Sequence, residues 1–180
     1  MSASDLLGGL PEWEHGPNYL AKRFAVLTGL HTCYKCDQAT RVSAIGLAGY
    51  DERDSEDDLT IPVDGGILLT QVTALNKGAA GALTAHSPWL RLGYSHTADA
   101  SYLTNHCEHC DALIGAWFIS TPGEAFFPLS DEEAAQLKIT WIEQTIELED
   151  LGGAQASWVD RLLGCDRPYK RGGARRTNRC

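Results

Sequence analysis

Cys33-Tyr34-Lys35-Cys36 and Cys107-Glu108-His109-Cys110 are two Cys-x-x-Cys hooks with 70 residues between them. Thiolates two residues apart on a tight turn reach one ion from the same side. Two such turns face to face offer four sulfurs in a tetrahedron, the donor set of a closed structural zinc site. Cys33, Cys36, Cys107 and Cys110 are therefore expected to ligate a single Zn2+.

Two other uses of paired cysteines fit less well. A thioredoxin-like redox pair occurs once, at the start of a helix that follows a strand, whereas each hook here lies between strand-like runs. Two disulfides need an oxidising compartment. Residues 1–10 show no basic stretch and no apolar run of signal-peptide length, so a reducing cytoplasm is expected.

Phe24–Thr32 and Ala39–Leu47 flank the first hook, and Ser101–Thr104 and Ala112–Ile119 flank the second; all four read as extended, which makes each hook the turn of a hairpin. Over roughly residues 24 to 47 and 101 to 119 this arrangement resembles the zinc ribbon, a family in which two hairpin knuckles clamp one metal. Many ribbon knuckles carry Gly after the second cysteine, where the backbone turns left-handed. Asp37 and Asp111 stand there in this chain, and Asp tolerates that region better than most residues. The order of knuckle, strand, insertion and knuckle is also similar to uncharacterised bacterial zinc-ribbon proteins, a likeness that implies no function. The fold class expected is α+β: a β-rich single domain built around the two knuckles, with a long insertion and a few short helices.

With 43% hydrophobic residues, 180 residues suffice for one core. No run approaches the length of a membrane span. The formal charge of −9 is unevenly spread. Arg167, Lys170, Arg171, Arg175, Arg176 and Arg179 against Asp166 give residues 165–180 a net +5, leaving −14 for residues 1–164. Three regions follow: an arm over 1–22 with Trp13 as an anchor, a globular domain over 23–164, and a basic, disordered tail over 165–180.

Inside the domain, the acids between Asp51 and Asp58 lack the Gly of a calcium loop and read as a solvated loop. Ile67–Leu75 fits helix and strand alike. Ala79–Ala85 reads as helix and Trp89–Tyr94 as extended. Ser130-Asp131-Glu132-Glu133 is a capping box opening a short helix through about Leu137. Lys138–Leu148 reads as a strand ended by Gly152-Gly153, and Ser157 begins a last helix.

No phosphate-binding loop and no Gly-x-Ser-x-Gly elbow occurs. His106-Cys107-Glu108 contains His-x-Glu, a fragment of the zinc deaminase signature. The rest of that signature is missing, and Cys107 would have to serve two motifs, so a zinc hydrolase or deaminase is the weakest alternative. The reading leans towards a protein that is not an enzyme. His31, His106 and His109 are expected to hydrogen-bond around the thiolates or face water. Cys165 and Cys180 are read as ordinary thiols. Two functions remain. One is a binding module that meets a basic protein through its acidic surface, as a bacterial immunity or regulatory protein would. The other is nucleic-acid association through Lys170, Arg171, Arg175, Arg176 and Arg179, opposed by the acidic body.

Overall fold

The structure, a computed structural model, describes Trp13, residues 16–54 and residues 59–165. The acids at 55–58, most of the arm and the basic tail from 166, with Cys180, lie outside the described residues.

The chain is mainly β, with short helices. Its strands in order are β1 (Tyr19–Ala21), β2 (Phe24–Thr32), β3 (Ala39–Asp54), β4 (Leu59–Leu69), β5 (Val72–Leu75), β6 (Leu90–Ser95), β7 (Ala100–His106), β8 (Leu113–Ile114), β9 (Lys138–Ile142) and β10 (Ile146–Asp150). The helices are α1 (Lys77–His86), α2 (Ala116–Ile119), α3 (Asp131–Ala134) and α4 (Ser157–Leu163). Seven strands form one antiparallel sheet in the order β5-β10-β1-β3-β2-β9, with β4 also paired to β3; β6, β7 and β8 form a second sheet. Only Thr70 and Gln71 separate β4 from β5, although these pair with different strands, so the large sheet curls strongly.

Both faces of its central strands are buried, which is why β2 and β3 read as near-continuous apolar runs. Phe24, Val26, Ile45 and Leu47 enter one core with Ile146 and Leu148, closed by Ala79 and Leu83 of α1 and by Leu90 and Leu103 of the small sheet. Ala25, Leu27, Val42 and Ala44 point the other way, into a second core with Ile114, Ile119, Phe126, Val159, Leu163, Cys33 and Cys107. The knuckle sulfurs thus extend an apolar layer.

Several local readings need correction. Tyr19–Ala21, placed in the arm, is a strand between β10 and β3; three residues are too few to show a period. Asp51–Asp54 prolong β3 instead of looping, because Pro62–Leu59 of β4 pair with them. The run Ala112–Ile119 is strand only at Leu113–Ile114 and then turns into α2. Ile67–Leu75 splits between the end of β4 and β5, and Lys138–Leu148 is two strands, interrupted at 143–145. Gly65-Gly66 lies within β4, where α4 crosses close to the backbone. A Cβ on Gly66 would stand 3.1 Å from Val159 Cγ1 and 3.2 Å from its carbonyl oxygen. Ser130 caps α3 as expected, its Oγ accepting the Glu133 N–H at 3.2 Å, but Glu133 reaches back to the Leu129 N–H, and regular helix ends at Ala134.

Candidate metal centre

The first hook is the turn between β2 and β3; the second lies between β7 and β8. They are built alike. Cys33 N–H donates to Gln38 O at 3.0 Å and Asp37 N–H to Cys33 O at 2.9 Å; Cys107 N–H donates to Ala112 O and Asp111 N–H to Cys107 O, both at 2.9 Å. Asp37 (φ 56°) and Asp111 (φ 60°) take the left-handed conformation at equivalent places. This matches the expectation drawn from the ribbon knuckle.

The fold brings all four predicted ligands together. Their sulfurs lie within 4.8 Å of one another, with Cys33 Sγ 3.7 Å from Cys110 Sγ and Cys36 Sγ 3.7 Å from Cys107 Sγ. A metal–sulfur bond of about 2.3 Å requires tetrahedron edges of about 3.8 Å, so the spacing fits an ion such as zinc. It is far beyond the ~2.05 Å of a disulfide, and none of the described cysteines is in one. Cys33 and Cys107 are buried, while Cys36 and Cys110 are half-buried.

Electrostatics point the same way. Burial opposes ionisation of Cys107, yet the N–H groups of His109 and Cys110 and the thiols of Cys33 and Cys36 bring it down to about 6. At Cys36 the Gln38 N–H favours the thiolate, but burial and the other three sulfurs outweigh it, and the thiol is pushed up to about 12. The Cys107 thiolate forms easily, while those of Cys36 and Cys110 are resisted. A divalent cation at the centre removes that conflict.

What seats the second knuckle was not apparent in the sequence. Opposite β2, the edge of β3 has no strand partner among the described residues from Ala39 to Ala44, since β4 joins only at Ile45. Three side chains from residues 105–109 take that place. Asn105 Oδ1 accepts the Ser43 N–H at 2.7 Å while its Nδ2 donates to Ser43 O at 3.0 Å. Glu108 Oε2 accepts the Arg41 N–H at 3.1 Å, and His109 Nε2 donates to Ala39 O at 3.0 Å. Residues 39, 41 and 43 share one edge of the strand, so the three side chains act as a surrogate strand there. Beneath it, Ser43 Oγ pairs with Ser87 Oγ at 2.8 Å and accepts the Trp89 indole N–H at 3.1 Å.

The Arg41 guanidinium lies 4.0 Å from the centre of the Trp89 ring and pairs with Glu108. Arg41 holds the Glu108 carboxyl below its ordinary value. The carboxylate of the His-x-Glu fragment is thus engaged in docking, and four sulfurs leave a tetrahedral ion no place for water; neither observation favours hydrolytic chemistry. His31 bonds Glu124 at 2.8 Å, and His106 donates to Thr104 O at 3.2 Å. Burial, with Arg91 nearby, holds His106 below its ordinary value. Cys165 is buried in the second core but does not join the sulfur cluster.

No helix among the described residues is long and apolar enough to cross a membrane. Comparison with known proteins finds no matching family model, no matching curated protein and no matching solved structure, so the likeness to the zinc ribbon is carried by the two knuckles alone.

Proposed function

We propose that Cys33, Cys36, Cys107 and Cys110 hold one Zn2+ as a structural clamp, and that residues 23–164 form a binding module which recognises a basic protein through its acidic surface. The four-sulfur cluster carries the reading. When bound, the ion supplies a cross-link between two segments far apart in sequence. The chain's own groups do the rest: the Gln38, His109, Cys110 and Ala112 N–H groups favour thiolates, and Asn105, Glu108 and His109 align one knuckle on β3.

A rigid scaffold with a strongly negative body is suited to fast encounter with a cationic protein and to rejecting nucleic acid. A cytoplasmic bacterial regulator or immunity-type inhibitor is a protein of this kind. Nothing in the described residues adds support to nucleic-acid binding through the tail. Elemental analysis of the purified chain, joined to a pull-down from the native host, tests the proposal. One zinc per chain and a co-purifying basic protein are expected. A chain without stoichiometric metal, or one that retains only nucleic acid, overturns it.

A further inference from the structure

We propose that the lobe from Ala116 to Ala134 is the docking surface, and that it takes a cationic segment of a partner protein anchored by apolar side chains. This rests on the partner-recognition reading above and locates it. Four large apolar side chains, Trp117, Phe118, Phe127 and Leu129, are exposed within 13 residues. Trp117 is 74% exposed and Leu129 67%. Tyr34 of the first knuckle, 63% exposed, stacks on Phe118 with ring centres 6.2 Å apart and planes at 22°. The lobe therefore reaches the sulfur cluster, and the clamp that fixes Cys33 and Cys36 fixes Tyr34 between them.

These side chains project from a built platform. Ala116, Ile119 and Phe126 are buried beneath them, and the Phe126 N–H donates to Ile119 O at 2.8 Å, strapping α2 to the returning loop. Gly123 N–H donates to Phe127 O at 2.9 Å, and Glu124 is tied to His31 of β2. Aromatic groups held outward on a fixed base lose little freedom on binding, and such residues dominate interface energetics.

Charge selects the occupant. Between Cys110 and Lys138 there is no Lys, Arg or His; Asp111 pairs with Arg91, Asp131 with Arg161 and Glu124 with His31, so the negative charge of the rim rests chiefly on Glu132 and Glu133. Asp131, Glu132 and Glu133 of α3 are exposed and directly follow Leu129-Ser130, and Glu133 accepts the Leu129 N–H. A ligand that seats apolar groups on the aromatic residues meets this acidic rim, so basic residues must flank its anchors. Phosphate backbones and anionic bilayers are repelled by the same carboxylates.

The test measures binding of the zinc-loaded full chain to a fluorescent Lys/Leu amphipathic peptide, to its Glu/Leu counterpart, to oligothymidylate and to phosphatidylglycerol vesicles. The Lys/Leu peptide should bind at least about tenfold more tightly than the Glu/Leu peptide, with weakening by salt. Trp117→Ala with Phe118→Ala should cost about tenfold or more, and Glu132→Lys several-fold, at unchanged melting temperature; Leu151→Ala, outside the lobe, should change nothing. If the Lys/Leu peptide binds but ignores the Trp117 and Phe118 changes, the lobe is wrong and recognition of a basic partner stands. If no Lys/Leu binding occurs, both fall. Tight binding of oligothymidylate or vesicles, or self-association abolished by the aromatic changes, overturns the assignment of the occupant.

Discussion

Removing the metal, or replacing Cys110 by Ser, should loosen one side of the molecule and leave the other standing. The cross-link from Cys36 to Cys107 closes a loop of 70 intervening residues. Loop-closure entropy for such a length is ~4 kcal/mol, a lower figure than the full binding energy of a structural zinc because it counts only the lost connection. For a domain of this size each kcal/mol moves the melting temperature by about 2–4 °C, so a fall of roughly 10–15 °C is expected. The first core contains no cysteine and closes over β2, β3, β10 and α1, so it should keep its strand signal at room temperature. The second core includes Cys33, Cys107, Ile114, Ile119 and Phe126, and its protection should be lost. Calorimetry with and without chelator, paired with hydrogen exchange, distinguishes the two. A melting temperature within about 3 °C of the loaded protein in both the chelated chain and Cys110→Ser, at zero zinc content, would refute the clamp.

Asn105→Ala should destabilise the loaded protein by ~2–4 kcal/mol in urea melts, since it removes two buried hydrogen bonds and strands the Ser43 N–H and C=O. Glu108→Gln breaks a partly exposed pair with Arg41, so it should cost under ~1 kcal/mol and leave metal content unchanged. Burial pushes Asp150 up to about 6 from an ordinary 3.8, against the Gly152 and Gln71 N–H groups. Below pH 3.8 this site is protonated in both states; as pH rises towards 6 the unfolded chain ionises first, so up to ~3 kcal/mol of stability is lost, and the Asp150→Asn variant should lack that slope between pH 4 and 6. Asp111→Val, which places a β-branched residue at φ 60°, should lower stability by ~1–2 kcal/mol, and Asp111→Gly should not.

The four-cysteine cluster was legible because its information is local. Two residues of spacing fix how two sulfurs lie on one turn, and a left-handed residue after each pair marks where the turn ends. In the large sheet β2 and the first half of β3 were legible for a related reason, since apolar content on both faces reports burial directly, whereas β1 was read as arm and Ile67–Leu75 stayed open between helix and strand. Failures fell where a distant partner decides the local conformation. Asp51–Asp54 read as loop until β4 supplies the opposing strand. Ala112–Ile119 has the composition of a strand, but the small sheet accepts only two of its residues before the chain must turn to put Ile119 in the second core and Trp117 outside.

Asn105 shows the limit most sharply. It stands two residues before Cys107 in a run with no recognisable motif, and its role appears only when the unpaired edge of β3 is brought against it. That edge runs from Ala39 to Ala44 and begins just after the first hook. The same hydrogen bonds that satisfy β3 therefore set the distance between the two hooks. A sulfur cluster with 3.7 Å contacts needs such alignment before an ion arrives, because mobile knuckles would spend binding energy on ordering. The surrogate strand formed by Asn105, Glu108 and His109 is thus as much a part of the centre as the cysteines. It follows that loss of Asn105 should weaken zinc affinity as well as stability, although the residue touches no sulfur.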